Sequence, residues 1–140
     1  MEEIRTAWRV LRDVAIHCPL LGLCAEEAPA EIFPKLENLQ PAGCVKLRGV
    51  YRMAREPNSA SRTKGVWTGS TAKTDQAVAW YARQMATKCM IVSPDLAPLT
   101  KVAPIKRLDG KVVSVSTADW FRILRDEEAT RESRGCLSAR

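Results

Sequence analysis

Histidine is nearly absent from this chain: His17 is the only one in 140 residues. No CxxC spacing occurs, and the five cysteines (Cys18, Cys24, Cys44, Cys89 and Cys136) are odd in number. Zinc sites draw on clustered cysteine and histidine ligands, so no metal site is expected. Reduced thiols in a cytosolic or nuclear setting are expected instead. His17 and Cys18 stand side by side, but adjacent residues seldom present a nucleophile and its base in the right geometry. A helix end packed into the core accounts for the pair more simply. There is no long hydrophobic run either. Val14 to Ala25 is interrupted by His17 and Pro19 and is too short to span a bilayer. Glu2 and Glu3 follow Met1, which does not fit a signal peptide. Internal repeats and low-complexity tracts are also missing.

What is present suits one globular domain over residues 1–140. The chain is 46% hydrophobic, enough for a core, and its formal net charge is +6. A basic surplus on a small domain favours nucleic acid or an anionic membrane as partner.

The stretch from Gly43 to Gly69 organises the rest. Val45, Leu47, Tyr51 and Met53 fall on one side of a predicted strand over 44–53. Lys46, Arg48 and Arg52 fall on the other, with Val50 among them. Alternation of this kind gives a sheet with one core face and one cationic face. Arg55 to Lys64 reads as a loop, and Gly65 to Gly69 leads into a helix.

Before this stretch, residues 2–17 read as an amphipathic helix ended by Pro19, with Ile4, Ala7, Leu11, Val14 and Ala15 as its apolar stripe. Arg5, Arg9 and Arg12 form a basic stripe. Trp8 lies between the two, as a core residue or as an aromatic plate able to stack on a base. Residues 18–42 carry four prolines and predict one short helix near Ala28 to Leu36.

Beyond it, a helix is predicted from Thr74 or Asp75 to about Thr87, with Trp80 and Tyr81 in the core. A short strand follows over Lys88 to Ser93. Pro94, Pro98 and Pro104 predict loop or edge structure over 94–106. Asp109-Gly110 is a hairpin signal. The strand 111–117 places Ser114 and Ser116 on one face. There they either donate to phosphate or ribose oxygens or simply cover a half-exposed strand. A last helix is predicted from Ala118 to about Glu132, with Thr117 as its cap, then a frayed tail over 133–140. The sum is an α+β fold: a small mixed or antiparallel sheet with helices on one face and a basic face on the other.

Gly43, Val45, Arg52, Arg55, Ser59, Arg62, Gly65 and Trp67-Thr68-Gly69, with Thr6-Ala7-Trp8-Arg9 upstream, resemble the tombusvirus RNA-silencing suppressor family. The shorter aureusvirus counterpart is the most similar in length. The resemblance implies a homodimer whose two sheets form one concave basic surface on double-stranded RNA, above all small interfering RNA, without sequence preference. It implies that Trp8, Arg48, Arg52, Arg55, Arg62, Ser114 and Ser116 contact RNA, with residues 1–17 capping the duplex end; Arg5, Arg9 and Lys46, from the basic stripe and the cationic row, are expected to join them. It implies a host cytoplasmic or nuclear location. It implies no enzyme activity, cofactor, metal, membrane or small-molecule substrate. Arg5 stands where the family has a second tryptophan, so relaxed selection of duplex length is expected.

A second resemblance is to ADP-ribosyltransferases, through Arg48 on a strand and Ser70-Thr71 before a helix, which would hold NAD. That chemistry needs a late carboxylate, and Asp109-Gly110-Lys111 offers no glutamate there. A protein-binding accessory factor is a third reading.

Overall fold

The computed structural model of the chain describes residues 1–23, 29–55, 64–70, 73–126 and 137–138. Four strands, β1 (Val66–Gly69), β2 (Cys89–Pro94), β3 (Lys111–Val115) and β4 (Leu137–Ser138), form one sheet in the order β3-β2-β1-β4. Every pairing is parallel. Five helices accompany it: α1 (Glu2–Leu11), α2 (Lys46–Ala54), α3 (Lys73–Gln84), α4 (Leu99–Arg107) and α5 (Thr117–Asp126).

A parallel sheet needs crossover helices, and these cover its faces. Val66 and Ile91 pack with Leu47, Tyr51, Val78, Tyr81 and Ile105 in the larger core, under α2, α3 and α4. On the opposite face Trp67 and Val92 pack against Ile123 and Trp120 of α5. Both faces of β1 are therefore buried, and no open basic sheet face exists among the described residues. The expected α+β fold with a mixed or antiparallel sheet is corrected to an α/β fold with helices on both sides of a parallel sheet.

The largest local correction falls on the central stretch. The predicted strand over 44–53 is helix α2. Its buried residues are Leu47, Val50, Tyr51 and Ala54, spaced at i, i+3, i+4 and i+7. The alternating reading left Val50 on the charged side; helical spacing puts it in the core. Tyr51 meets Tyr81 edge-to-face with centroids 5.7 Å apart, and the Tyr81 hydroxyl donates to the Ala54 carbonyl at 3.2 Å.

Other boundaries move as well. Helix α1 stops at Leu11, well short of residue 17, and buries none of its residues. Trp8 is 63% exposed, which removes the core reading of that residue. Among the described residues of 18–42 there is a 3-10 turn at Glu37–Leu39 and two antiparallel bridges, Leu20 with Lys35 and Leu23 with Ile32. The helix predicted near 28–36 does not form across residues 29–36. Pro29 and Pro34 deny it backbone donors. Thr74 and Asp75 are inside the first turn of α3, not before it. Tyr81 is buried as predicted, whereas Trp80 is only half-buried.

The proline-rich segment 94–106 contains helix α4. Pro98 precedes it in an extended conformation, and Pro104 is tolerated inside it. Ile105, 2% exposed, anchors the helix and offsets the lost donor. Asp109-Gly110 is a turn, but it joins α4 to a parallel strand instead of closing a hairpin. Ser116, not Thr117, caps α5: its Oγ accepts from the Asp119 N–H at 3.1 Å and donates to Asp119 Oδ2 at 2.8 Å. Residues 137–138 of the predicted frayed tail pair with β1. Residues 56–63, most of the predicted loop, lie outside the described residues, as do Arg62 and Thr71.

Candidate functional site

The strand order fixes where a site can form. From β1 the chain steps through α3 to β2 and through α4 to β3, always in one direction. Strand β4 lies on the other side of β1. In an open parallel sheet, ligands bind outside the carboxyl ends of strands where the order reverses. Here that point is the end of β1, Gly69 and Ser70, leading into α3.

Helix α2 is brought to the same place. Gly43 takes a φ of +66°, and a methyl group built on it would meet nothing within 4 Å. The turn therefore suits glycine and borders open space. It is followed by buried Cys44, whose Sγ–H donates to the Lys73 carbonyl at 3.4 Å. That contact ties the start of α2 to the start of α3. Lys46 is the first residue of α2 and Lys73 the first of α3, and both side chains are exposed. Two exposed primary amines thus stand at the starts of two helices that are tied to each other, the second of which follows the end of β1.

Beneath them is Asp75, 2% exposed. Burial pushes its carboxyl up to about 7, against a hydrogen bond from Ser70 and the field of Lys101, which both lower it. Its Oδ1 has no hydrogen-bond partner among the described residues. Burial, aided by the charge of Asp75, holds the Cys89 thiol up at about 12, so this cysteine is inert as a nucleophile.

The residues expected to form an RNA surface do not lie on one sheet face. Arg5 and Arg9 are exposed on α1 and pair with Glu2 at 3.9 and 3.8 Å. Lys46, Arg48 and Arg52 are on a helix. Arg48 donates to Glu37 at 3.1 Å, and Arg55 donates to the Tyr51 hydroxyl at 2.8 Å while lying over its ring. Ser114 is exposed on β3, and Ser116 is used as a cap. The ADP-ribosyltransferase reading needed Arg48 on a strand, and it is on α2. Sequence reasoning named Lys46 for a different task and missed Lys73 and Asp75. The available signal was a short apolar strand, Val66 to Thr68, running through the small residues Gly69 and Ser70 into a helix. Among the described residues no cluster could hold a metal ion, and no helix is long and apolar enough to cross a membrane.

An open parallel sheet with helices on both faces defines an α/β protein. The profile of the pyridoxal-phosphate dependent enzyme family matches residues 16–139. The chain belongs to that family. It is 32% identical over 115 residues to an L-threonine ammonia-lyase of Thermotoga maritima, covering 81% of this chain and 29% of that protein. It is 32% identical over 114 residues to a serine racemase of Schizosaccharomyces pombe, covering 80% of this chain and 35% of that one. Among solved structures, the processed form of threonine deaminase isoform 2 from Solanum lycopersicum superposes with a TM-score of 0.79 at 26% identity, over 98% of this chain and 40% of that one. The chain thus spans 29% and 35% of the length of these two curated relatives.

These findings overturn the resemblance to a viral silencing suppressor and, with it, the double-stranded RNA partner. They also overturn the ADP-ribosyltransferase alternative. The expectation of no enzyme and no small-molecule substrate is corrected too, because the family is one of enzymes and its named relatives act on amino acids.

Proposed function

We propose that this chain supplies the lysine side of a pyridoxal-phosphate site acting on a small hydroxylated amino acid. The observation that carries the reading is the Cys44–Lys73 contact, which ties the start of α2, where Lys46 stands, to the start of α3, where Lys73 stands. The cofactor asks for an accessible primary amine and for donors to its anionic oxygens. Exposed Lys46 and the Lys73 ammonium, which also donates to Gln76 Oε1 at 3.5 Å, match that demand. The orphaned Asp75 Oδ1 below them is a further polar group able to accept from a donor.

When bound, the cofactor supplies an electron sink for negative charge developing at the substrate Cα. Lys46 is the residue that would carry it covalently. Once free of that bond, the Lys46 Nζ would hold the proton removed from Cα. Lys73 would orient an anionic oxygen of the ligand by charge and hydrogen bonding. Cys44 and Gly43 act on α2 itself, fixing where Lys46 begins. The substrate class is supported by the names of the relatives, a threonine ammonia-lyase and a serine racemase.

The test is covalent trapping. The protein is incubated with pyridoxal phosphate, reduced with borohydride and mapped by peptide mass. Saturable labelling concentrated on Lys46 and abolished by Lys46→Ala is expected. Label spread evenly over surface lysines, or centred on Lys73, would overturn the assignment. Release of a 2-oxo acid from L-threonine, or of D-serine from L-serine, then decides between elimination and racemisation.

A further inference from the structure

A cavity of about 340 Å³ opens between α1 and α2, away from the lysine pair. Its walls include Trp8 from α1, Arg12 at the C-cap of that helix, His17 after it, Lys35 from the bridged segment and Arg48 from α2. Arg48 and Lys46 are two residues apart on α2, about 200° of helical rotation, so they project from opposite sides of it.

The charges do not cancel. Arg48 and Lys35 both bond Glu37, at 3.1 Å in the case of Arg48. The Lys35 hydrogen bond, then Arg48, holds the Glu37 carboxyl below its usual range, against the effect of burial. Arg12 pairs with Asp13 at 3.5 Å, but both side chains are mostly exposed, and such pairs hold little. Three lining cations against the two carboxylates that pair with them, Glu37 and Asp13, leave a surplus of one positive charge, and neither carboxylate is in the wall itself. Beside them is an indole that is 63% exposed, although burying it would remove a large apolar area from water. The wall is also fixed in place. Buried Gln40 accepts from the Ile16 N–H at 3.1 Å and donates to the Ile16 carbonyl at 2.8 Å. Arg48 also reaches that carbonyl, at 3.5 Å.

We propose that this cavity binds a small aromatic oxyanion, an aryl ring carrying a phosphate or carboxylate. The ring stacks against Trp8, and the oxyanion is held by Arg12, Lys35 and Arg48. Forked guanidinium donors suit such a group, and the volume lies in the range of small-ligand sites. The proposal does not depend on the pyridoxal-phosphate reading, because it uses none of the residues of that site.

His17 supplies the measurement. It lines the cavity and is the chain's only histidine, so its imidazole proton resonances report this place alone. Phenyl phosphate and benzoate are titrated at constant ionic strength, with benzamide and inorganic phosphate as controls. Saturable shifts with the two aryl anions, at least tenfold weaker with either control, are expected. Trp8→Ala alters an exposed residue of α1 and Arg12→Gln the exposed residue that caps its C-terminus, both outside the core, and each should weaken binding about fivefold or more. Equal shifts with inorganic phosphate would mean screening of surface charge and would overturn the proposal. So would the absence of any saturable shift, or wild-type affinity in both variants.

Discussion

Asp75 is the residue whose chemistry departs furthest from its ordinary behaviour. Its carboxyl titrates at about 7 in the fold and near 3.8 in the reference state. Between those values the native state holds a proton that the unfolded chain has released. Stability is therefore fullest below the lower value and falls as pH rises, by about 1.4 kcal/mol per unit. The whole window amounts to something on the order of 4 kcal/mol. Asp75→Asn keeps the shape and cannot ionise. Urea unfolding from acid to neutral pH should give a wild-type stability that declines relative to this variant. Parallel curves would show that the carboxylate is solvated after all. Gly110 is a second case. A Cβ there would lie 2.7 Å from Ile105 Cγ2 and 3.2 Å from its carbonyl oxygen. Gly110→Ala should cost about 1–3 kcal/mol, read as a lower denaturation midpoint. The sequence marks Gly110 as a turn residue but not as a contact, because the contact comes from α4, which three prolines concealed.

Elements were legible where one period was available and illegible where two were. Helix α3, strand β2 and strand β3 stand close to their predicted positions because their patterns admit a single reading. Residues 44–54 admit two. Val45, Leu47, Tyr51 and Met53 alternate; Leu47, Val50, Tyr51 and Ala54 follow a helix. Tertiary packing chose the second. The two readings part at Val45, which the strand would bury with Leu47 but which is 50% exposed in the fold, against 0% for Leu47. Leu47→Ala should therefore cost about 2–5 kcal/mol. Val45→Ala should stay within about 0.5 kcal/mol, as surface changes do. Thermal denaturation of the two variants checks this, and equal losses would favour the strand. The start of α5 offers a smaller test: Ser116→Ala should remove about 1 kcal/mol with its cap.

At the scale of the molecule, the basic surplus misled because charge was read as one surface. The cations are dispersed over helices and tied locally: Arg55 to Tyr51, Arg48 to Glu37, and Arg83 to the Arg107 carbonyl at 2.9 Å. The candidate site was less legible than the fold. It depends on Cys44 meeting Lys73, a contact between residues 29 positions apart in the sequence.

The pairing of β4 with β1 bears on how the chain reaches this state. Val66 and Trp67 find their β4 partners, Leu137 and Ser138, about 70 residues further along the sequence. During synthesis, helices α2 to α5 and strands β2 and β3 all precede that pairing. Until it forms, one side of β1 presents unpaired N–H and C=O groups, a template for another chain. Such non-local parallel pairings also close late. A chain ending after Asp126 should fold its local helices yet self-associate through β1, with a concentration-dependent rise in sedimentation coefficient that the 140-residue chain does not show. Equal sedimentation of the two would mean that Val66 and Trp67 are shielded without β4. Otherwise, β4 acts as a shield against aggregation as well as a member of the sheet.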